Sequence, residues 1–282
     1  MDVSLHDIAY FLKVAAGALS LDGSTLYYIV EEDGNLIEDH WTGSEVKDKV
    51  FIASEVKSSP SAKYLLNDDT RRVFFPNAEN LLQCAEYDDS EEAWSAVSLQ
   101  SEHPLHMHPT SPLSGCFDNN GDQLIFFQDP SGQLQGIRIE RDGECTPVPP
   151  LPEFQQSKLV HTAYEADSGA IHLLYIGSGN QIVDLKWVPG NDEWDESIIP
   201  GSGFANHAIT NFTITSTDES EIGFLAVSAT DKVVYIDPQG ETSELGQLDK
   251  KRFAAVSSEE CAAEITRLGV KLVKAAAGTK NK

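Results

Sequence analysis

Positive charge is scarce in this chain: 20 Lys and Arg stand against 45 Asp and Glu, a formal net charge of -25 over 282 residues. Such a surface repels a phosphate backbone or an anionic bilayer, so the expected partners include no nucleic acid and no membrane. Cysteine is almost as scarce. Cys84, Cys116, Cys145 and Cys261 lie far apart without a C-x-x-C pair, which excludes the usual zinc spacings and reads as buried thiols. Two disulfides are the alternative, but a chain this long buries an ample core without them. Long apolar runs are missing too, since no segment reaches the roughly 18 residues of a membrane span. Ile8 to Leu19 is apolar and ends in small residues, but Asp2, His6 and Asp7 replace the positive flank of a secretory leader, and Lys13 interrupts the run. The expected location is therefore cytoplasmic, with secretion as the alternative. Gly-x-Ser-x-Gly is absent, which sets aside a serine-hydrolase elbow. Gly177-Ser178-Gly179-Asn180 is followed by neither Lys-Ser/Thr nor a helix pattern, so it reads as a hairpin turn rather than a phosphate loop.

What is present is repetition. TLYYIVEEDGNLIEDHW (Thr25 to Trp41) is an alternating strand, an acidic Gly turn and a second alternating strand. The same grammar recurs in RRVFFPNAENLLQCAEY, DQLIFFQDPSGQLQGIRI, AIHLLYIGSGNQIVDLKW and EIGFLAVSATDKVVYID. The first apolar residues after the turns, Leu36, Leu81, Leu134, Ile182 and Val233, are separated by 45, 53, 48 and 51 residues. Short strands at a period of about 45 to 50 residues predict a β-propeller in which each unit is one four-stranded blade. One blade cannot bury both faces of its sheet, so neighbours must stack. Candidate innermost strands precede the hairpins at residues 61–66, 113–117, 159–164 and 208–215, and candidate outer strands follow at 94–99 and 194–199. Ser4 to Leu12 and Arg252 to Ser257 are the expected closing strands. The fold expected is all-β: five blades, or six if the termini complete another, forming one domain over 1–258. Apolar residues at helical spacing (Ala262, Ile265, Leu268, Val273) predict a C-terminal helix and tail over 259–282.

The paired aromatics, the acidic turn and Gly34-Asn35-Leu36-Ile37-Glu38 resemble the repeat of the fungal fucose-specific lectins, and Phe126 to Gln135 is similar to the hairpin of the same family. That resemblance implies a sugar seated between blades, held by an Arg at the start of the second strand and a Glu on the third above an aromatic ring. Carried over unit by unit, the two slots hold Leu26 and Glu38, Arg72 and Gln83, Leu124 and Gly136, His172 and Asp184, and Gly223 and Tyr235. No unit keeps both partners. A scaffold with eroded sugar slots is similar to the hetero-Diels-Alderase branch of these lectin-like propellers, which serves tropolonic sesquiterpenoid biosynthesis in fungal secondary metabolism. This implies a cofactor-independent pericyclase, without metal, acting on a large apolar small molecule of polyketide or terpene type. The alternatives are a carbohydrate-binding lectin of altered specificity and a protein-interaction propeller; either is compatible with a dimer.

Candidate catalytic residues are Lys63, Tyr64, His161 and Tyr164 on the expected innermost strands, and Arg72, which lies next to Phe74 on a buried strand and needs a partner. Candidate substrate-binding residues are Glu38, Trp41, Phe117, Asn211 and His106. His103 to His108 contains three histidines, but the prolines at 104, 109 and 112 mark a surface loop, which reads as a pocket rim rather than a metal site. Trp41, Trp94, Trp187 and Trp194 fall on third or fourth strands, where Trp commonly packs between blades.

Overall fold

A computed structural model describes residues 16–57, 61–153, 160–199, 202, 209–216, 218, 222–249 and 252–255. Each repeat unit folds into one antiparallel sheet. Blade I comprises β1 (Ala16–Leu19), β2 (Leu26–Glu32), β3 (Asn35–Trp41) and β4 (Val46–Ala53). Blade II comprises β5 (Lys63–Leu66), β6 (Arg71–Pro76), β7 (Leu82–Asp88) and β8 (Ala93–Val97). Blade III comprises β9 (Ser114–Phe117), β10 (Gln123–Gln128), β11 (Leu134–Ile139) and β12 (Cys145–Pro147). Blade IV comprises β13 (His161–Glu165), β14 (Ile171–Ile176), β15 (Ile182–Trp187) and β16 (Asp195–Ile198). Blade V comprises β17 (Ile209–Ile214), β18 (Phe224–Ser228), β19 (Lys232–Ile236), β20 (Thr242–Asp249) and a fifth strand, β21 (Arg252–Ala255).

Turn chemistry sets the hairpin register. Asp33 and Gly34 both have positive φ, 53° and 80°, the two-residue primed turn whose twist matches that of the flanking strands. The turn fixes Glu32 opposite Asn35 and therefore Ile29 opposite Glu38. Side chains on opposed residues share a face, while successive residues alternate. Blade I thus shows Tyr27, Glu38 and His40 to one neighbour and Leu26, Asp39 and Trp41 to the other.

Every residue of β5 and β9 is buried, whereas most of β4 and all of β16 are exposed. The first strand of each unit accordingly lies innermost and the fourth outermost. Four apolar clusters bind the blades into a ring. One joins blades II and III through Phe74, Phe117 and Ile125, a second joins III and IV through Phe126, Leu173 and Trp187, and a third joins IV and V through Tyr164, Phe212 and Phe224. The fourth spans blades V, I and II, with Val227 and Leu245 packed into the same cluster as Leu26, Ile29 and Val73. Each fully buried Phe, Leu or Ile contributes about 1.5–3 kcal/mol, so this last cluster closes five blades by packing.

Arg252 to Ser257 does not serve as the expected closing strand of another blade. Its described part is β21, hydrogen-bonded to the outer strand β20 of its own blade V. Blade I is built from residues 16–53 and takes no strand from the other end of the chain among the described residues. The other candidate, Ser4 to Leu12, and the predicted helix at 259–277 lie outside the described residues. Cys84 and Cys116 are buried thiols and Cys145 is half-buried; none of the three forms a disulfide.

Candidate functional site at the seam between blades I and II

The seams between blades carry polar clusters of different composition, and the most elaborate joins blades I and II. Glu38 on β3 is fully buried, yet its carboxylate faces four donors. Tyr64 Oη donates to Oε1 at 2.6 Å. Arg71 Nη2 donates to Oε2 at 2.7 Å, His40 Nε2 lies 2.9 Å from the same oxygen, and Trp94 Nε1 donates to it at 3.3 Å. Three of the donors, Tyr64, Arg71 and Trp94, come from blade II. Arg71 Nε also donates to Tyr64 Oη at 2.7 Å, which orients the phenol hydrogen toward Glu38.

Aromatic rings enclose the guanidinium. Arg71 Cζ lies 4.2 Å from the centroid of Tyr27, 3.9 Å from that of Tyr87 and 5.5 Å from that of Trp94, within range of cation–π attraction. Tyr27 is stacked parallel to Tyr64 at 6.0 Å, and Trp94 meets both Tyr64 and Tyr87 edge-on. The rim is open: the side chains of Arg71 and His40 are 13% and 17% exposed while Glu38 below them is at 0%. Among the described residues Arg71 donates through Nε and Nη2, and Nη1 meets no protein acceptor.

Electrostatics follow from that geometry. Burial alone would push the Glu38 carboxyl up, but the hydrogen bond from His40, the charge of Arg71 and the bonds from Arg71 and Tyr64 together hold it below the usual carboxylate value. Burial, with the Glu38 charge adding to it, drives the Tyr64 phenol well up. The base of the seam is thus a fixed carboxylate paired with a fixed guanidinium, with a neutral phenol between them.

In the resembled repeat Leu26 fills the slot of the Arg that would partner Glu38. The structure corrects this: the partner is Arg71, contributed by the next blade. It also gives Arg72 a partner other than Gln83. Arg72 Nε and Nη2 donate to Glu86 Oε2 at 3.0 and 2.9 Å, Nη1 to Gln123 Oε1 at 2.8 Å and Nη2 to the Arg141 carbonyl at 2.7 Å. Arg72 is 2% exposed; its donors are spent on the seam between blades II and III. Neighbouring residues of a strand face opposite sides, so the Arg71-Arg72 doublet serves two seams.

The remaining sequence candidates are dispersed. Lys63 is buried on β5 opposite Phe74, on the side of blade III, and burial draws its ammonium down to about 8. His161 shares a hydrogen bond of 2.6 Å with Ser114 across the seam of blades III and IV; burial lowers its pKa to about 3. Tyr164 stacks on His172 at 4.9 Å, and His172 Nδ1 lies 2.9 Å from both oxygens of Asp184. The fourth unit therefore does pair its two slots, within one blade. Phe117 is buried between blades II and III, Asn211 is half-buried at an irregularity in β17, and Trp41 packs on the core that closes the ring. His106 is exposed, its loop bridged to Leu81. Two of the ten candidates, Glu38 and Tyr64, meet in the cluster between blades I and II. Arg71, His40, Tyr27, Tyr87 and Trp94 complete the group, and the signal that points to them is the alternation that sends Arg71 toward blade I.

No family model matches the chain, and no curated protein matches it. Among solved structures the fold is similar to AofleA from Arthrobotrys oligospora, at 14% identity and a TM-score of 0.64 over 86% of this chain and 74% of that one. It is similar also to the Aleuria aurantia lectin, described as a six-bladed β-propeller with a fucose recognition mode of its own, at 15% identity and a TM-score of 0.58 over 80% and 74% of the two chains. The BP39L lectin from Burkholderia pseudomallei matches at 14% identity and a TM-score of 0.58 over 82% and 70%. At these identities the likeness is one of fold: a lectin-like β-propeller, with five blades among the described residues.

Proposed function

We propose that the protein is a carbohydrate-binding propeller that takes a neutral, hydroxyl-rich sugar at the rim of the seam between blades I and II. The observation that carries this reading is Arg71, held between Tyr27 and Tyr87 above the buried Glu38, with no acceptor for Nη1 among the described residues. Adjacent sugar hydroxyls each need a donor and an acceptor at fixed spacing, which an arginine–carboxylate pair supplies. Glu38 Oε2 serves three donors, the weakest of them Trp94 at 3.3 Å, so a ligand hydroxyl replaces that contact at small cost. The rings of Tyr87 and Trp94 cover an apolar sugar face. Fucose is the first sugar to test, because solved lectins of this fold are described by it.

The cycloaddition implied by the resemblance has weaker support. Lys63 and Arg72 face the seam between blades II and III, His161 that between III and IV and Tyr164 that between IV and V, and the Tyr64 hydroxyl is committed between Glu38 and Arg71. A calorimetric titration with methyl α-L-fucoside and a panel of neutral monosaccharides tests the sugar reading. Binding is expected to fall about tenfold or more in Arg71→Lys, since an ammonium cannot reach Tyr64 and Glu38 together nor lie flat between two rings. A wild-type protein that binds no neutral sugar at millimolar concentration refutes the reading.

A further inference from the structure

The same seam contains a second feature that the clamp does not use. A cavity of about 610 Å³ lies between the end of β4 and the hairpin β6–β7, lined among others by Ile52, Ser54, Phe75, Gln83, Ala85 and Ala96. That volume falls within the range of small-molecule sites, about 300–1,000 Å³. Its walls are fixed by backbone: Val56 N donates to the Gly34 carbonyl at 3.1 Å, and Ala78 N donates to the Glu55 carbonyl at 2.9 Å, tying blade I to the turn of blade II.

Register places the cavity one step from the clamp. Tyr87 is opposite Trp94, and the next pair on the same face is Ala85 opposite Ala96. Two residues along a strand span roughly 6.5 Å, about the distance from one sugar ring to the next. The first pair carries the rings that flank Arg71; the second carries two methyl groups, which leave room where larger side chains would fill the seam. The lining beyond is mixed. Phe75 and Ile52 are apolar, the Gln83 amide donates to the Leu82 carbonyl and keeps its oxygen available, and Ser54 adds a hydroxyl. Glu55 and Glu79 stand at the edge with no Lys or Arg among the lining residues, which disfavours a uronic or sialic acid there.

Resting on the sugar reading of the clamp, we propose that this cavity is a subsite for a second, uncharged sugar residue, so that the ligand is a neutral glycoside of at least two residues. The experiment compares methyl α-L-fucoside with fucosyl-α1,6-N-acetylglucosamine by calorimetry on the full chain. The wild type is expected to bind the disaccharide about tenfold more tightly. Ala96→Phe, at an exposed position of the outer strand, fills the cavity; it is expected to erase that gain while monosaccharide affinity stays within about twofold, and Gln83→Ala to reduce the gain in part. If the wild type binds both ligands equally, or if the gain survives both substitutions, the subsite is refuted and the clamp reading stands. If neither ligand binds at all, the clamp reading falls and the subsite with it.

Discussion

Glu38→Ala removes the common acceptor of four donors from a fully buried position. Arg71 keeps its bond to Tyr64 Oη and its place between Tyr27 and Tyr87, but loses its counter-charge at a side chain only 13% exposed. Breaking a buried pair by deleting one partner costs about 3–5 kcal/mol, and the Tyr64 hydroxyl left without an acceptor lies within that sum. Glu38→Gln keeps the shape but turns an NH2 group toward donors, for about 1–3 kcal/mol. The double replacement Glu38→Leu, Arg71→Met is expected to recover most of the stability, because both charges leave together, while sugar binding is lost. Urea unfolding monitored by circular dichroism measures each value. pH gives an independent check. The folded carboxyl lies below its unfolded value of about 4.3, so its contribution is fully present above that pH and disappears as pH falls through the folded value. The difference between wild type and Glu38→Gln must therefore shrink on acidification. A loss below about 1 kcal/mol for Glu38→Ala, or a difference unchanged down to pH 3, would refute the idea that a buried, ionised Glu38 organises the seam.

His161 gives a second pH effect of the same sign. Its folded pKa of about 3 lies below the unfolded value of about 6.5, so the unfolded chain binds the extra proton between those values and stability falls as pH drops through that window, by up to about 1.4 kcal/mol per pH unit. His161→Gln is expected to flatten that slope in urea titrations between pH 6.5 and 4; an unaltered slope would show that another group carries it. Gly136→Ala places a Cβ 2.4 Å from Val148 Cγ2 and 2.7 Å from Phe126 Cε1, a clash inside the cluster of blades III and IV. It is expected to cost about 1–3 kcal/mol and to lower the melting temperature, whereas an unchanged transition would mean that β11 and β12 pack more loosely.

The blades were legible because their signals are local. Asp33-Gly34 specifies one turn, and alternation such as that in Leu26 to Ile29 specifies which face is buried; both survive without knowledge of the neighbour. Glu38 was legible too, as the carboxylate slot of the resembled repeat. Arg71 was not, because the slots were compared within a unit, and the distance from Glu38 to the next blade depends on how two sheets stack. The one-residue choice between Arg71 and Arg72 decides which seam a guanidinium enters. The closing strand expected over Arg252 to Ser257 failed for a related reason: an apolar strand near a terminus has the same pattern whether it closes a ring or, as its described part Arg252–Ala255 does, extends an edge. Lys63, His161 and Tyr164 share the innermost layer, as their positions implied, but sharing a layer did not bring them to one point.

Five similar hairpins in one chain present an ordering problem, since any blade face could in principle stack on any other. The polar groups at the seams act as keys. Arg71 finds Glu38 only when blade II follows blade I, Arg72 finds Gln123 only when blade III follows blade II, and Ser114 finds His161 only at the next joint. A ring assembled in the wrong sequence would strand a buried guanidinium at a cost of several kcal/mol, more than an exchange of one apolar face for another would return. The divergence of the repeats thus gives each wedge an address, and a chain that folds by adding wedges in turn is steered from swapped arrangements by charge rather than by shape.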